Sequence, residues 1–135
     1  MNQFREIQRQ RGEKPRSKYG NIKTHVDGKA FDSKKEAGRY AELKMMEKAG
    51  LISHLECQKK YELQPKFRRH GKTYRSINYY ADFAYYDETP NGEISRDLTR
   101  WVVEDVKSPA TRKNAEYRLK KKMMAYVHGI EIKEI

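Results

Sequence analysis

The fold of this chain can be worked out from the stretch Trp101-Val102-Val103-Glu104-Asp105-Val106-Lys107. Its β-branched and aromatic residues favour a strand, and the run is too short to be a helix with a buried face. Because successive strand side chains point to opposite faces, Asp105 and Lys107 are predicted to share one face, with Glu104 on the other. An isolated pair of this kind is usually a solvated ion pair, so its meaning depends on the rest of the chain.

Charge is the most informative feature of the composition. Lysine and arginine number 30 against 19 acidic residues, for a formal net charge of +11 and a pI near 9.7. Such a balance favours a polyanionic partner, and nucleic acid is the first candidate. The single cysteine, Cys57, excludes an internal disulfide and a thiolate zinc site, and it indicates a reducing compartment.

Hydropathy argues against a membrane protein. No apolar run approaches the ~20 residues that a membrane helix requires, and the polar N-terminus lacks the apolar core of a signal peptide. We therefore expect a cytoplasmic protein that does not associate with membranes.

The 135 residues correspond to the usual length of one domain. Residues 1–21 are rich in lysine and arginine and poor in apolar groups, so they are predicted to form a flexible basic arm. Lys18 in this arm is expected to contact a phosphate backbone, although a solubilising tail is an equally good interpretation. Residues 22–135 are predicted to form a single domain.

The first elements of that domain are a hairpin and a helix. Asp27-Gly28 between extended residues is a strong two-residue hairpin signal. Ser33 and Glu36 have the spacing of a capping box, which predicts a helix from there to Gly50. Glu36 is thus ambiguous, since it can serve as a cap, as a metal or water contact, or as both.

Two long strands are predicted before the Trp101 stretch. Residues 51–63 form the first, with Leu55, Cys57, Tyr61 and Leu63 on one buried side. Residues 77–86 form the second, in which Asp82 shares a face with Tyr80 and Ala84. A carboxylate inside an apolar strand is costly unless it is paired, hydrogen-bonded or bound to metal. The placement of Asp82 therefore favours a functional site over an ordinary surface position. Antiparallel pairing of this strand with the Trp101 strand would bring Asp82 close to Asp105.

A helix over residues 111–128 completes the predicted fold, with Leu119, Met123, Tyr126 and Val127 facing inward. Gly129 ends it. Residues 130–132 then read as a short last strand, parallel to the Trp101 strand in a right-handed crossover.

Two basic segments are candidates for contact with nucleic acid. The first is a loop or irregular hairpin at residues 66–75, where cations alternate with aromatic rings that can stack on bases. The second is the helix that follows Lys107, which could clamp a phosphate. A solvated turn and a solvated helix face are the alternatives. The residues expected to contact DNA in these segments are Arg68, Arg69, Lys72, Arg75, Lys113, Tyr117, Lys120 and Lys121.

The order helix, three strands, helix, strand resembles the PD-(D/E)XK nuclease superfamily. The segments Phe31-Asp32-Ser33-Lys34-Lys35-Glu36, Tyr80-Ala81-Asp82-Phe83 and Glu104-Asp105-Val106-Lys107 look like those of a phage-associated branch of it. The resemblance spans about residues 18–135. It implies an α/β fold with a restriction-endonuclease-like αβββαβ core, in which helices flank a mixed central sheet.

Site residues follow from the resemblance position by position. It implies that Asp82, Asp105 and the carbonyl of Val106 hold Mg²⁺ or Mn²⁺, that Lys107 orients or activates the attacking water, and that Glu36 contacts the metal. Gln58 and Glu104 are assigned secondary roles. Ala81 stands where the motif's name has proline, and a one-residue register error would exchange Glu104 with Asp105; Asp105 is preferred because it shares a face with Lys107.

The implied activity is metal-dependent hydrolysis of DNA phosphodiester bonds, leaving a 5′-phosphate. We expect an endonuclease of phage or prophage origin that acts on duplex, branched or recombining DNA, and a homodimer is one route to cutting both strands. Two alternatives stay open: a non-catalytic nucleic-acid-binding module that keeps the fold, and a basic structural or assembly protein of a phage.

Overall fold

The computed structural model describes residues 23–89 and 100–135; the predicted basic arm, with Lys18, lies outside them. Within these ranges the chain forms eight strands and three helices. In order they are β1 (Thr24–Val26), β2 (Lys29–Phe31), α1 (Lys34–Lys48), β3 (Ile52–Gln64), β4 (Phe67–Arg69), β5 (Lys72–Tyr74), β6 (Ile77–Asp87), β7 (Trp101–Asp105), α2 (Pro109–Arg112), α3 (Ala115–His128) and β8 (Lys133–Glu134). The fold is therefore mixed α/β.

A four-stranded mixed sheet in the order β3-β6-β7-β8 forms the centre of the molecule. β6 pairs antiparallel with β3 and β7, and β8 pairs parallel with β7. Both pairings predicted for the Trp101 strand are thus confirmed. The last strand, however, comprises Lys133–Glu134 rather than residues 130–132, because Ile132 is buried in the core below the sheet instead of continuing the ladder.

Helices cover both faces of this sheet. Val102 and Val103 are neighbours in β7, yet Val102 packs in the cluster that contains Tyr40 and Leu43 of α1, whereas Val103 packs with Tyr117 and Met124 of α3. Since successive strand residues face opposite ways, α1 and α3 lie on opposite sides. The sheet is buried from both sides, in agreement with its apolar strands.

The alternation of faces is interrupted in the middle of β3 and β6, which was not predicted. Cys57 packs in the α1-side cluster and Tyr61 in the α3-side cluster, so β3 does not keep one buried side. In β6, Ala81 and Phe83 are two residues apart yet belong to different clusters. Gln58, which lies between Cys57 and Tyr61 in β3, has a left-handed φ of 52° that breaks the regular period of the strand.

The second helical region also differs from the prediction. It is not one helix, because Asn114 accepts a hydrogen bond from the Tyr117 amide and caps a new helix, α3. The buried residues of α3 are Tyr117 and Met124. Three residues predicted to face inward are exposed instead: Leu119, Tyr126 and Val127. Because apolar residues occur on two sides of this helix, the sequence alone does not determine which side faces the sheet. Packing against the sheet buries only one of the two sides.

The predictions of a hairpin turn at Asp27-Gly28 and of a helix start at Ser33 are confirmed. Asp27 and Gly28 both have positive φ, as a two-residue hairpin turn requires, and they join β1 to β2. Ser33 caps α1 by accepting a hydrogen bond from the amide of Glu36 at 3.1 Å. No helix in residues 23–89 and 100–135 is both long and apolar enough to cross a membrane.

One charged cluster holds α1 against the sheet. Glu104 is fully buried and accepts hydrogen bonds from the guanidinium of Arg39 (Nε at 2.9 Å) and from the hydroxyl of Tyr85 at 2.5 Å. Both partners bind its carboxylate, so the buried charge is compensated. Glu104 thus ties a helix to two strands.

We expect Arg39→Met to destabilise the fold by about 3 to 5 kcal/mol, because it leaves the Glu104 carboxylate buried without its cation. Chemical denaturation at neutral pH measures this. Glu116→Gln, which breaks the exposed Glu116–Lys120 pair on α3, is the control and should cost no more than about 0.5 kcal/mol. Equal effects of the two variants would contradict a structural role for the Arg39–Glu104 pair.

Candidate functional site

Three acidic side chains predicted to form a site are brought together from the first turn of α1, the middle of β6 and the end of β7. Glu36, Asp82 and Asp105 are all buried, with relative exposures of 6%, 8% and 0%. Glu36 reaches the sheet because it lies in the first turn of α1, directly after the Ser33 cap. The helix start fixed by that cap therefore determines where this carboxylate lies.

Asp82 and Asp105 are linked by reciprocal hydrogen bonds across β6 and β7. The amide of Asp82 donates to Asp105 Oδ1 at 3.1 Å, and the amide of Val106 donates to Asp82 Oδ2 at 2.9 Å. Asp105 thus accepts a hydrogen bond from the backbone of β6, and Asp82 accepts one from the backbone of the residue that follows β7. This arrangement fixes both side chains in place.

Gln58 joins the third carboxylate to this pair. Its side-chain amide nitrogen donates to Glu36 Oε1 at 3.1 Å and to Asp82 Oδ1 at 3.2 Å. The left-handed backbone at Gln58 occurs where β3 pairs with β6 opposite Asp82, between the pairs Cys57–Phe83 and Lys59–Ala81. The sequence marked Gln58 only as secondary, since an isolated glutamine in a strand carries no signal of positive φ.

Lys107 supplies the cation at this site. Its ammonium lies 3.6 Å from Asp105 Oδ1 and 5.4 Å from the centre of the Tyr117 ring. Glu104, by contrast, faces α1 and Arg39. The predicted division of faces along residues 104–107 is therefore observed, and the exchange of Glu104 with Asp105 does not occur.

Burial dominates the electrostatics of the three acids. Burial, and then the Asp82 charge, raise the pKa of Glu36 from 4.5 to about 7. Burial likewise raises the pKa of Asp105 to about 6, against the opposing effect of Lys107, and it also raises the pKa of Asp82. Carboxylic acids with elevated pKa values and a nearby ammonium are typical of functional sites.

The residues present fit a hard divalent cation by their chemistry. Carboxylate oxygens are the ligands that Mg²⁺ and Mn²⁺ prefer. Asp105 Oδ2 is buried, and no hydrogen-bond partner for it exists in the described part of the chain. In the same residues, no group of three acidic, histidine or cysteine side chains is spaced to hold a metal ion. The Gln58 amide lies between Glu36 and Asp82.

Most residues predicted to contact DNA lie in two exposed places. Of the predicted loop or irregular hairpin at residues 66–75, the structure has the hairpin, β4–β5, with regular pairing, and all ten residues are exposed. Phe67 and Tyr74 stack with their centroids 4.7 Å apart and their planes 4° apart, and the Lys72 ammonium lies 4.9 Å from the Tyr74 ring. The hairpin also carries Arg68 and Arg69, and Arg75 follows it.

The candidates in and around α3 are more varied. Lys113, the C-cap of α2, is exposed; Lys120 pairs with Glu116 at 3.2 Å, and Lys121 pairs with Glu134. Tyr117 is only 8% exposed and its ring lies beneath Lys107, so its contact with DNA stays a prediction that this burial disfavours. Sequence reasoning also missed Glu134, whose position opposite Asp105 in β8 depends on where the last strand begins.

The raised pKa of Glu36 predicts a pH-dependent stability. Its folded value of about 7 exceeds the ordinary value of 4.5, so the folded state binds more protons than the unfolded state between these limits. The free energy of unfolding should therefore fall as pH rises through this window. Gln at position 36 still accepts from Gln58 but carries no charge.

We expect Glu36→Gln to be more stable than the wild type at pH 8, by on the order of 2 kcal/mol, and to lose this advantage near pH 5. Chemical denaturation without divalent cations at both pH values measures it. Glu62→Gln, at an exposed position of β3, should leave the pH dependence of the wild type unchanged. A stability difference between Glu36→Gln and the wild type that did not vary with pH would contradict the assignment.

Comparison with known proteins gives a family. No curated protein and no solved structure matches the chain significantly. One family model, described as a protein of unknown function (DUF1064), matches residues 16–133. Because that match covers most of the 135 residues, this chain belongs to the DUF1064 family.

Proposed function

We propose that this protein is a metal-dependent DNA endonuclease with a PD-(D/E)XK nuclease core. The observation that carries the proposal is the convergence of Glu36, Asp82 and Asp105 with Lys107 at one buried point. The order around the central sheet is helix, three strands, helix, strand. This order supports the αβββαβ core that the sequence resemblance implies.

In this proposal Asp82, Asp105 and Glu36 would hold Mg²⁺ or Mn²⁺, with the carbonyl of Val106 as a further ligand. When bound, the cation would supply neutralisation of phosphate charge and a lowered pKa for water. The backbone hydrogen bonds to Asp82 and Asp105 keep both carboxylates oriented before substrate arrives. In the absence of the cation, the Gln58 amide donates hydrogen bonds to Glu36 and Asp82.

Lys107 acts on the water and the phosphate. Its position over the Tyr117 ring and beside Asp105 restricts the ammonium to the carboxylate cluster. There it orients the attacking water and compensates charge that develops on the phosphate. Hydrolysis forms a bond from the water oxygen to phosphorus and breaks the bond to O3′, leaving a 5′-phosphate.

The charge of the molecule supports DNA as the substrate. A net charge of +11 attracts a polyanion and accelerates its association. The exposed β4–β5 hairpin combines cations for phosphates with a pair of aromatic rings that bases can stack on. Branched or recombining DNA, with its unpaired bases, suits such a surface.

A second candidate is a nucleic-acid-binding protein without catalysis. It is favoured by the contacts of Gln58, whose amide already satisfies Glu36 and Asp82 as a cation would. In that case the carboxylates have a structural role only, and the basic surfaces alone carry the function.

We expect cleavage of duplex, flap or four-way-junction DNA in Mg²⁺ or Mn²⁺. Asp105→Asn should lower the cleavage rate by on the order of 10³-fold, because it weakens a ligand of the cation that stabilises the transition state. Gel assays of labelled substrates measure the rate, and fluorescence anisotropy in Ca²⁺ measures binding. Asp105→Asn should still bind DNA.

Glu62→Gln serves as the control for this experiment, since it removes one negative charge at an exposed site on β3. It should retain the wild-type rate. Binding without cleavage of any substrate by the wild type would favour the second candidate. Cleavage that survives in Asp105→Asn would overturn the assigned site.

The hairpin should contribute stacking as well as charge. We expect Phe67→Ala to weaken binding to single-stranded or junction DNA by about 1 to 3 kcal/mol, with a smaller effect on duplex DNA. Arg69→Gln should weaken all forms and reduce the slope of log affinity against log salt by about 1. Lys48→Gln, at the opposite end of α1 from Glu36, is the charge control and should change neither the affinity nor the salt slope. If it changed both as much as Arg69→Gln does, the hairpin would be excluded as a DNA contact.

A further inference from the structure

A basic cleft lies between α3 and the C-terminal segment, with a volume of about 520 Å³. Its charged lining consists of four cations and two acids: Arg112, Arg118, Lys121, Lys122, Glu131 and Glu134. The excess of cations favours an anion as its occupant.

Glu134 occupies part of this cleft in the manner of an anionic ligand. One carboxylate oxygen lies 3.1 Å from Arg112 Nε, and the other accepts a hydrogen bond from the ammonium of Lys121. The side chain is only 18% exposed, and the hydrogen bond from Lys121 lowers the pKa of Glu134. A phosphate group, which also offers separate oxygens to an Arg and a Lys, matches this pair of donors.

The position of Glu134 relates the cleft to the candidate site. β8 runs parallel to β7, and Glu134 lies opposite Asp105. Neighbouring strands are about 5 Å apart, and the Glu134 charge is near enough to raise the pKa of Asp105. An anion in place of Glu134 would thus lie about one strand away from the carboxylates.

We propose that Arg112 and Lys121 form a phosphate subsite that Glu134 fills when no nucleic acid is bound. Arg118 and Lys122 extend the subsite along the cleft. A phosphate next to the scissile one displaces the Glu134 carboxylate and takes over its two cations. The identity of the ligand as nucleic acid rests on the proposed function. The existence of the anion subsite does not.

The alternative role for Glu134 is to fasten β8 to α2 and α3 through ion pairs. The two roles predict opposite effects of Glu134→Gln. If Glu134 competes with phosphate, its neutralisation frees two cations and tightens binding. If it only fastens the strand, its neutralisation loosens the cleft and weakens binding or leaves it unchanged.

The test measures the affinity of a short fluorescein-labelled DNA duplex by anisotropy, in EDTA and over a range of salt concentrations. We expect Glu134→Gln to bind about 5-fold more tightly than the wild type. Arg112→Gln should weaken binding, and the double variant Arg112→Gln with Glu134→Gln should lose most of the gain. Glu62→Gln, which makes the same change of charge on β3, should gain far less than Glu134→Gln.

A second measurement separates this inference from the proposed function. Inorganic phosphate is titrated into ¹⁵N-labelled protein while the Arg112 Nε–H resonance is observed by NMR. We expect a saturable shift that occurs at lower phosphate concentration in Glu134→Gln and is lost in Lys121→Gln. A wild type that bound no DNA but gave this result would reject the nucleic-acid ligand and keep the anion subsite. A Glu134→Gln variant that bound duplex and phosphate no better than Glu62→Gln would overturn the subsite.

Discussion

The structure of the site depends on the reciprocal hydrogen bonds between Asp82 and Asp105. A buried carboxylate is tolerated only if its oxygens are satisfied, and here the amides of Asp82 and Val106 satisfy one oxygen of each. The donors are backbone groups at the end of a β ladder, so among substitutions only proline removes them directly. Pairing of β6 with β7 therefore sets the geometry of the carboxylates.

Glu104 and Asp105 illustrate how two neighbouring acids acquire different roles. Both are fully buried. Glu104 receives a guanidinium and a phenol, which together compensate its charge and join α1 to the sheet. Asp105 keeps one buried oxygen for which the described residues offer no partner, and its nearest cation is the ammonium of Lys107 at 3.6 Å. Full compensation makes an acid structural, whereas incomplete compensation leaves it available to a cation.

Much of this arrangement could be predicted from the sequence because it depends on short periods and caps. The alternation along residues 101–107 placed Asp105 with Lys107, and Ser33 placed Glu36 in the first turn of α1. The phase of α3 could not be predicted, since Leu119 and Tyr126 offer a second apolar side and only tertiary contact with the sheet decides between the two. The left-handed conformation of Gln58 could not be predicted from the sequence either, because positive φ at a residue other than glycine arises from the surrounding structure.

The strain at Gln58 is better explained by the site than by the fold. A left-handed conformation in a non-glycine residue costs on the order of 1 kcal/mol, and β3 keeps a single register with β6 on either side of it, from Glu56 to Glu62. The conformation occurs where the side-chain amide reaches both Glu36 and Asp82. Two acids with raised pKa values would otherwise face each other without a donor between them. If the site holds a divalent cation as proposed, an uncharged donor at this position would be displaced more easily than an arginine or lysine, whose own charge would compete with the cation.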